Sequence, residues 1–253
     1  MSVCTILYRN IKWRFHNPLT LIITILQPVL WLALYSTVAG QTMKGTGIEN
    51  YTAFILPGLI VLVSFSVCSS SGIMNYMMKT DGSFYRILIA PVSRVSIVLG
   101  QILEAVLCTF LEVAVMAALS LLFSVRVFPN PKGIMMILIL IFLTAFFMSG
   151  LSYSISLILP NEVVFEMVMN AIVLPVFFLS SALFPTEALS GVLKTAVSLN
   201  PFTHVINALR SVILSGKMEM RSLVFVSVLF LILGAAGFGC ALHNLKKGLS
   251  GNR

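Results

Sequence analysis

Residues Gly133–Leu159 read GIMMILILIFLTAFFMSGLSYSISLIL and contain no charged side chain. A helix of about 20 apolar residues is long enough to cross the hydrocarbon core of a bilayer. The apolar run is continuous, which argues against the short alternating strands of a transmembrane barrel. This stretch therefore predicts a membrane-spanning α-helix.

The whole chain has the composition of a membrane protein. Of its 253 residues, 58% are hydrophobic and 9% are charged, whereas a soluble domain carries roughly 25% charged residues. This composition argues against a soluble enzyme, a disordered tail and a nucleic-acid-binding domain. The net charge of +8 comes mostly from Lys and Arg beside apolar runs, where basic side chains meet lipid headgroups and set topology.

Several stretches have the length and apolar character of membrane spans. They are Leu19–Gly40, Phe54–Tyr76, Val95–Phe123, Gly133–Leu159, Val163–Leu183 and Leu223–Leu242. Basic residues precede the first span, and the flank of the first helix usually decides orientation, so both termini are expected in the cytoplasm. The prediction is an all-α polytopic protein with six transmembrane helices, forming a single domain over residues 1–253 in the plasma membrane.

A shorter apolar stretch precedes the last span. Phe202–Leu214 contains Arg210 and is too short to span, and Pro201 suits the first turn of a helix. Together with Glu187–Val197 it predicts a re-entrant or interfacial hairpin, and a seventh span is the alternative. A bare guanidinium is costly in hydrocarbon, so Arg210 is expected near the outer interface, with Glu187 as a candidate partner.

Two further segments lie outside the spans. Ser2–His16 predicts a helix in the cytoplasmic interface, with Arg9, Lys12 and Arg14 on its polar side; a plain basic flank is the alternative. The loop Lys79–Arg94 predicts a second short helix, which begins after Asp81 as N-cap and ends before a proline. Its apolar face is formed by Phe84, Ile87, Leu88 and Pro91.

An apolar patch with charged neighbours on a cytoplasmic loop indicates a surface for a partner protein. The alternative is a helix that packs on the membrane, and periodicity alone does not choose between the two.

Polar residues recur at helical spacing within the spans, and such residues usually face the bundle interior or a water path. In the second span they are Ser64, Cys68, Ser71 and Asn75. In the third they are Gln101, Glu104, Cys108 and Glu112. In the fifth they are Glu162, Glu166 and Asn170, with Phe177 and Ser181 continuing that side. The serines of the fourth span, Ser149, Ser152 and Ser156, favour close helix packing.

Glu112 lies near the middle of its span, and no Lys or Arg lies in the core of another span. An ionised carboxylate there is costly without a partner. Glu112 is therefore expected to be protonated, hydrogen-bonded or beside a water-filled cavity. A structural role and a role in transport both remain open.

The sequence carries no recognisable catalytic apparatus. It has no G-x-x-x-x-G-K-[ST] phosphate loop, no HExxH motif and no clustered metal ligands, and its three histidines are far apart. No catalytic residue, metal site or bound cofactor is predicted. If ATP drives transport, the ATPase must be another polypeptide.

Three stretches resemble the membrane subunit of type-2 ATP-binding-cassette exporters, the ABC-2 type permeases. The first, from Tyr8, reads YRNIKWRFHNPLTLIITILQPVLWLALYSTVAG and is similar to the interfacial helix and first span of the family. The second, from Asp81, reads DGSFYRILIAPVSRVSIVLGQIL and is similar to its coupling-helix region. The third, from Leu183, reads LFPTEALSGVLKTAVSLNPFTHVINALRSVILSG and is similar to the signature before its last span.

The resemblance implies two permease subunits, identical or different, and a separate ATPase subunit that binds ATP and Mg. The coupling helix would dock that subunit through Phe84, Arg86, Ile87, Leu88 and Pro91. The second and fifth spans would line the substrate path through Ser64, Cys68, Ser71, Asn75, Asn170 and Phe177. The exported substrate would be a drug, peptide, lipid or lipid-linked glycan, and the N-terminal pattern is closer to the small drug-exporter branch.

Two other functions remain as alternatives. An ion- or proton-coupled secondary transporter would use the intramembrane carboxylates Glu104, Glu112 and Glu166, although the chain lacks a clear inverted repeat. A membrane-embedded enzyme or assembly factor is the other alternative, although no catalytic cluster of His, Asp or Cys is evident.

Overall fold

A computed structural model describes residues 3–15, 26, 29–34, 37, 51–121, 131–183, 190–215 and 220–250. Four helices in this part of the chain are long and apolar enough to cross a membrane. They are α2 (Tyr51–Thr80), α4 (Arg94–Ser120), α5 (Pro131–Ile158) and α9 (Met220–Ser250). These helices confirm the second, third, fourth and sixth predicted spans as long apolar helices. Most of the first, Leu19–Gly40, lies outside the described residues.

The fifth predicted span is shorter than the sequence suggested. Helix α6 (Glu162–Phe178) has 17 residues and contains Pro175 close to its end. At 1.5 Å per residue it is about 26 Å long, less than the roughly 30 Å of a hydrocarbon core. The predicted extension to Leu183 is wrong, because the chain leaves helical geometry at Leu179.

Short helices connect or flank these long ones. They are α1 (Val3–Arg14), α3 (Ser83–Ile89), α7 (Gly191–Leu199) and α8 (Pro201–Arg210), and α8 continues into a π-helical turn, Ser211–Ser215. Pro201 occupies the first turn of α8 as predicted, and the side chain of Asn200 accepts a hydrogen bond from the Phe202 amide at 3.0 Å. The predicted Asp81 cap is wrong. Gly82 is the N-cap, in the left-handed region that glycine adopts at low cost (φ 72°).

Helix α2 is the centre of the bundle and packs against α4, α5 and α6. The predicted packing role of the α5 serines is confirmed, since Ser152 Oγ donates to the carbonyl of Cys68 in α2 at 2.6 Å. On the other side of α5, Gly150 faces Gly237 of α9, and a Cβ on Gly150 would lie 3.1 Å from the Gly237 carbonyl carbon. The absence of side chains there lets the two helices approach closely.

Helix α8 is inserted into this bundle through an aromatic cluster. The ring of Phe202 lies 4.7 Å from that of Phe65 in α2 and 5.3 Å from that of Phe230 in α9, centroid to centroid, both edge-to-face. Phe147 of α5 completes the group. Edge-to-face pairs add to the free energy gained by burying the rings. The hairpin is thus packed on three long helices.

Candidate functional site

The polar stripe of α2 lies in the interior of the bundle. Ser64, Cys68, Ser71 and Asn75 are all buried. Cys68 Sγ donates to the carbonyl of Ala145, and Asn75 Nδ2 donates to Ser156 Oγ at 3.0 Å. The stripe therefore faces α4 and α5 of its own chain, and its predicted role in a substrate path remains a prediction.

Glu104 of α4 is the centre of this polar interior and is fully buried. Its Oε1 accepts a hydrogen bond from Arg14 Nη1 at 2.8 Å, which makes a buried ion pair. Its Oε2 accepts from Ser71 Oγ, also at 2.8 Å, and Cys108 Sγ donates to Oε1 at 3.4 Å. Both carboxylate oxygens thus have donors, as a buried charge requires.

Arg14 comes from α1, the helix that the sequence placed in the headgroup region. Ile6, Asn10 and Arg14 recur every four residues and form the buried face of α1. Asn10 Nδ2 donates to Gln101 Oε1 at 3.0 Å, and a Cβ on Gly100 would lie 2.6 Å from Ile6 Cγ2. The assignment of Arg14 to the headgroup side is therefore wrong, because its side chain faces α4.

The same contacts give Glu104 a cationic partner that the sequence did not suggest. The sequence offered no cation within the other spans, yet the Arg14 guanidinium reaches Glu104 from outside them. Burial lowers the pKa of Arg14, but the carboxylates of Glu104 and Glu112 and the thiol of Cys108 together raise that pKa above its usual value. Arg14 therefore stays charged beside the Glu104 carboxylate. A signal for this pairing was present in the sequence: Asn10 and Arg14 lie one turn apart in α1, and their partners Gln101 and Glu104 lie one turn apart in α4.

The other predicted intramembrane carboxylates lie apart from this pair. Glu112 is buried on α4, two turns beyond Glu104, whereas Glu166 is exposed on α6. The structure therefore does not gather the three carboxylates into one ion site. In the part of the chain that the structure describes, no group of three His, Cys, Asp or Glu side chains could hold a metal ion.

Helix α6 presents two different faces. Its buried side is formed by Phe165, Met169, Val173 and Phe177. Asn170 and Glu166 are exposed on the other side. Phe177 and Asn170, which the sequence placed on one side, therefore have different surroundings. Only Phe177 belongs to the interior that contains the α2 stripe.

Arg210, at the end of α8, has backbone partners. Its Nε donates to the carbonyl of Phe54 at 3.1 Å, and its Nη2 donates to that of Ser181 at 2.6 Å. Its Cζ lies 3.8 Å from the centroid of the Phe54 ring, a cation–π contact. The predicted partner Glu187 lies outside the described residues.

The short helix α3 folds back against the end of α2. Phe84 is buried, with Lys79 Nζ 5.8 Å from its ring centroid, and Ile87 and Leu88 pack against the core. The prediction of an exposed apolar face is thus wrong for Phe84, because the turn after α2 directs that face inward. The exposed side chains are Tyr85, Arg86, Ile89 and Pro91.

A bundle of long apolar helices with a short helix at one end is an arrangement suited to a transport subunit. The family model of the ABC-2 type transporter matches residues 1–214, so the chain belongs to this family of membrane permeases. It is 28% identical over 198 residues to a protein of Cyanophora paradoxa named as a transport permease, ycf38, with 77% of this chain and 68% of the relative covered.

Two bacterial relatives indicate the range of the family. The daunorubicin resistance ABC transporter permease protein DrrB1 of Streptomyces coeruleorubidus is 23% identical over 211 residues, covering 83% of this chain and 74% of the relative. Nodulation protein J of Rhizobium leguminosarum bv. trifolii is 24% identical over 216 residues, covering 81% and 78%. The chain is thus a multi-pass membrane protein of a transport family whose members are transport subunits and not enzymes.

Proposed function

We propose that this chain is the permease of an ATP-driven exporter in the plasma membrane. Two permease subunits form the substrate path, and a separate ATPase subunit binds ATP and Mg and supplies the energy. The observation that carries the proposal is the family match over residues 1–214 on a bundle of long apolar helices. The similarity to a daunorubicin resistance permease favours an amphipathic drug as substrate.

The free surface of α3 supports a docking role for this helix. Ile89 is 85% exposed and Tyr85 is 55% exposed, with Arg86 between them in sequence. Phe84 is buried and fixes the helix on α2. We therefore assign contact with the ATPase to Tyr85, Arg86 and Ile89, with Pro91, Ile87 and Leu88 at the edge, and an anchoring role to Phe84.

The ends of the hairpin support a re-entrant placement on the outer side. A Cβ on Gly58 would lie 2.7 Å from Ala182 Cβ, and Arg210 contacts Phe54, so the chain leaves α6 and completes α8 at the same end of α2. Helix α3 follows α2 at the opposite end. With α3 in the cytoplasm, the hairpin belongs to the outer side, and both termini are cytoplasmic.

The experiment is affinity purification of the tagged permease from its native host in mild detergent. We expect a co-purifying subunit whose sequence contains the G-x-x-x-x-G-K-[ST] phosphate loop, identified by mass spectrometry. Ile89→Asp should reduce its recovery at least about tenfold, because a buried apolar anchor contributes roughly 1.5–3 kcal/mol. Arg86→Glu reverses a charge on the same surface and should also reduce recovery. ATP-dependent uptake of daunorubicin into inverted vesicles should fall with it.

Val192→Asp is the matched control, because Val192 is 87% exposed on α7, in the hairpin that we place on the outer side. It should leave recovery of the ATPase unchanged. Wild-type recovery with both α3 variants would reject the docking surface, and absence of any phosphate-loop protein would reject the ATP-driven function.

A further inference from the structure

Helix α6 ends with backbone carbonyls that need donors from elsewhere. Pro175 lies in the last turn of α6, and Leu179 leaves helical geometry (φ −86°, ψ 34°). The last carbonyls of a helix have no partner within it. The side-chain amide of Asn200, between α7 and α8, makes two such hydrogen bonds. Its Nδ2 donates to the carbonyl of Val176 at 2.6 Å and to that of Leu179 at 2.8 Å.

Arg210 also donates to a backbone carbonyl, a few residues after the end of α6. It donates to the carbonyl of Ser181 just after α6 and to that of Phe54 in the first turn of α2, and it stacks on the Phe54 ring. One side chain of α8 thus joins the end of α6 to the start of α2. Gly58 makes this close approach feasible, since a Cβ there would lie 2.9 Å from the Ala182 Cα.

We propose that Arg210 and Asn200 are positioning residues for transport: they hold the C-terminal end of α6 against the first turn of α2. The hairpin α7–α8 and this helix end then move as one unit. The proposal rests on the proposed function, in which these two helices line the substrate path.

The geometry requires an arginine and not merely a positive charge. Guanidinium is planar and presents donors in fixed directions, so it reaches two carbonyls while its face lies on a ring. A lysine ammonium is a compact point charge that cannot satisfy this set together. An arginine that only anchored the hairpin to anionic headgroups would, in contrast, be replaceable by lysine. The two roles therefore predict different results for Arg210→Lys.

The test is hydrogen–deuterium exchange of the purified permease in detergent, without any ATPase. In Arg210→Gln and Arg210→Lys, the amides of residues 179–183 and 201–210 should exchange at least about tenfold faster, because a hydrogen bond to a charged group is worth roughly 1.5–3 kcal/mol. The amides of α5 should be unchanged. Arg221→Gln, which removes an exposed arginine in the first turn of α9, is the matched control and should exchange as wild type.

Each remaining outcome decides the proposal. Wild-type exchange in Arg210→Lys would overturn it in favour of a headgroup anchor, and wild-type exchange in Arg210→Gln would overturn it outright. If Arg210→Gln cannot be purified as a monodisperse protein, Asn200→Asp replaces it, since this change keeps the acceptor for the Phe202 amide and removes the donor to Val176 and Leu179. It should accelerate exchange at residues 179–183.

A transport assay separates this proposal from the proposed function. Faster exchange in the variants, together with no ATP-driven transport by the wild-type complex, would reject the function and keep the positioning role. Transport by the wild type, together with unchanged exchange in the variants, would reject the positioning role alone. If both hold, Arg210→Lys should lower transport at least about tenfold while ATPase binding through α3 is retained.

Discussion

Two arginines contact the central helix α2 at different positions along its length, and they do so through different kinds of partner. Arg14 enters from α1 and pairs with the Glu104 carboxylate beside Ser71. Arg210 enters from α8 and uses backbone carbonyls and the ring of Phe54. Ser71 and Phe54 lie 17 residues apart in sequence, which corresponds to about 25 Å along a helix. The first site contains a buried ion pair, and the second contains hydrogen bonds to backbone carbonyls and a cation–π contact.

The difference has a consequence for stability. Removing one member of a buried ion pair leaves an uncompensated charge, which is strongly destabilising. Removing Arg210 takes away its hydrogen bonds to the Phe54 and Ser181 carbonyls and its contact with the Phe54 ring. The Arg14 site is therefore suited to holding α1, α2 and α4 together as a fixed unit. The Arg210 site joins the hairpin and the end of α6 to α2 through hydrogen bonds and a ring contact.

The largest predicted effect is that of Glu104→Ala. It leaves the Arg14 guanidinium buried without its partner and should lower the free energy of unfolding by about 3–5 kcal/mol. The double variant Arg14→Met/Glu104→Leu should lie within about 1 kcal/mol of wild type, because an apolar pair of similar volume replaces the ion pair. Arg210→Met should cost about 1–3 kcal/mol. Unfolding by denaturant in detergent measures all three, and a larger loss for Arg210→Met than for Glu104→Ala would contradict the comparison.

The two sites also differ in how far the sequence predicts them. The long apolar helices and the short helices before and after α2 follow from hydropathy and turn residues. Arg210 stands out because it interrupts an apolar stretch, but its partners are carbonyls, which no side-chain pattern reveals. Arg14 lies in an ordinary basic flank, and it faces Glu104 because α1 packs against α4, where Ile6 lies beside Gly100. The end of α6 and the inward face of α3 likewise depend on tertiary contacts.

Alanine substitutions of two glycines should separate side-chain from backbone crowding. A Cβ on Gly100 meets the Ile6 side chain at 2.6 Å, and one on Gly58 meets the Ala182 Cα at 2.9 Å. Either change should cost about 1–3 kcal/mol of unfolding free energy. Ile6→Ala should restore part of the loss with Gly100→Ala, whereas Ala182→Gly should restore little with Gly58→Ala, because backbone remains in the way. Gly239→Ala, for which the added Cβ would meet nothing from another part of the chain within 4 Å, is the control and should not destabilise the protein.

Lysine substitutions at the two arginines should have unequal effects. Arg14→Lys keeps a charge for a single carboxylate oxygen, which is the contact that Arg14 Nη1 makes. Arg210→Lys loses the fork that reaches two carbonyls and a ring. The melting temperature should therefore fall further for Arg210→Lys, by an amount that corresponds to roughly 1 kcal/mol of additional destabilisation. Equal melting temperatures would show that charge alone matters at both sites.

The smallest effects should come from the neutral acceptors beside each arginine. Ser70 Oγ accepts from Arg14 Nη2 at 3.2 Å, but Arg14 keeps its carboxylate when Ser70 is replaced by alanine. Asn207 Oδ1 accepts from Arg210 Nη1 at 3.0 Å and from Ser181 Oγ at 2.8 Å, so its removal leaves two donors without this partner. Ser70→Ala should cost less than about 0.5 kcal/mol and Asn207→Ala about 1 kcal/mol. Denaturant unfolding of both variants under one condition measures the difference. The reverse order would mean that the Arg14 site depends on its neutral contacts, and the contrast between a site dominated by one ion pair and a site that depends on neutral acceptors would then fail.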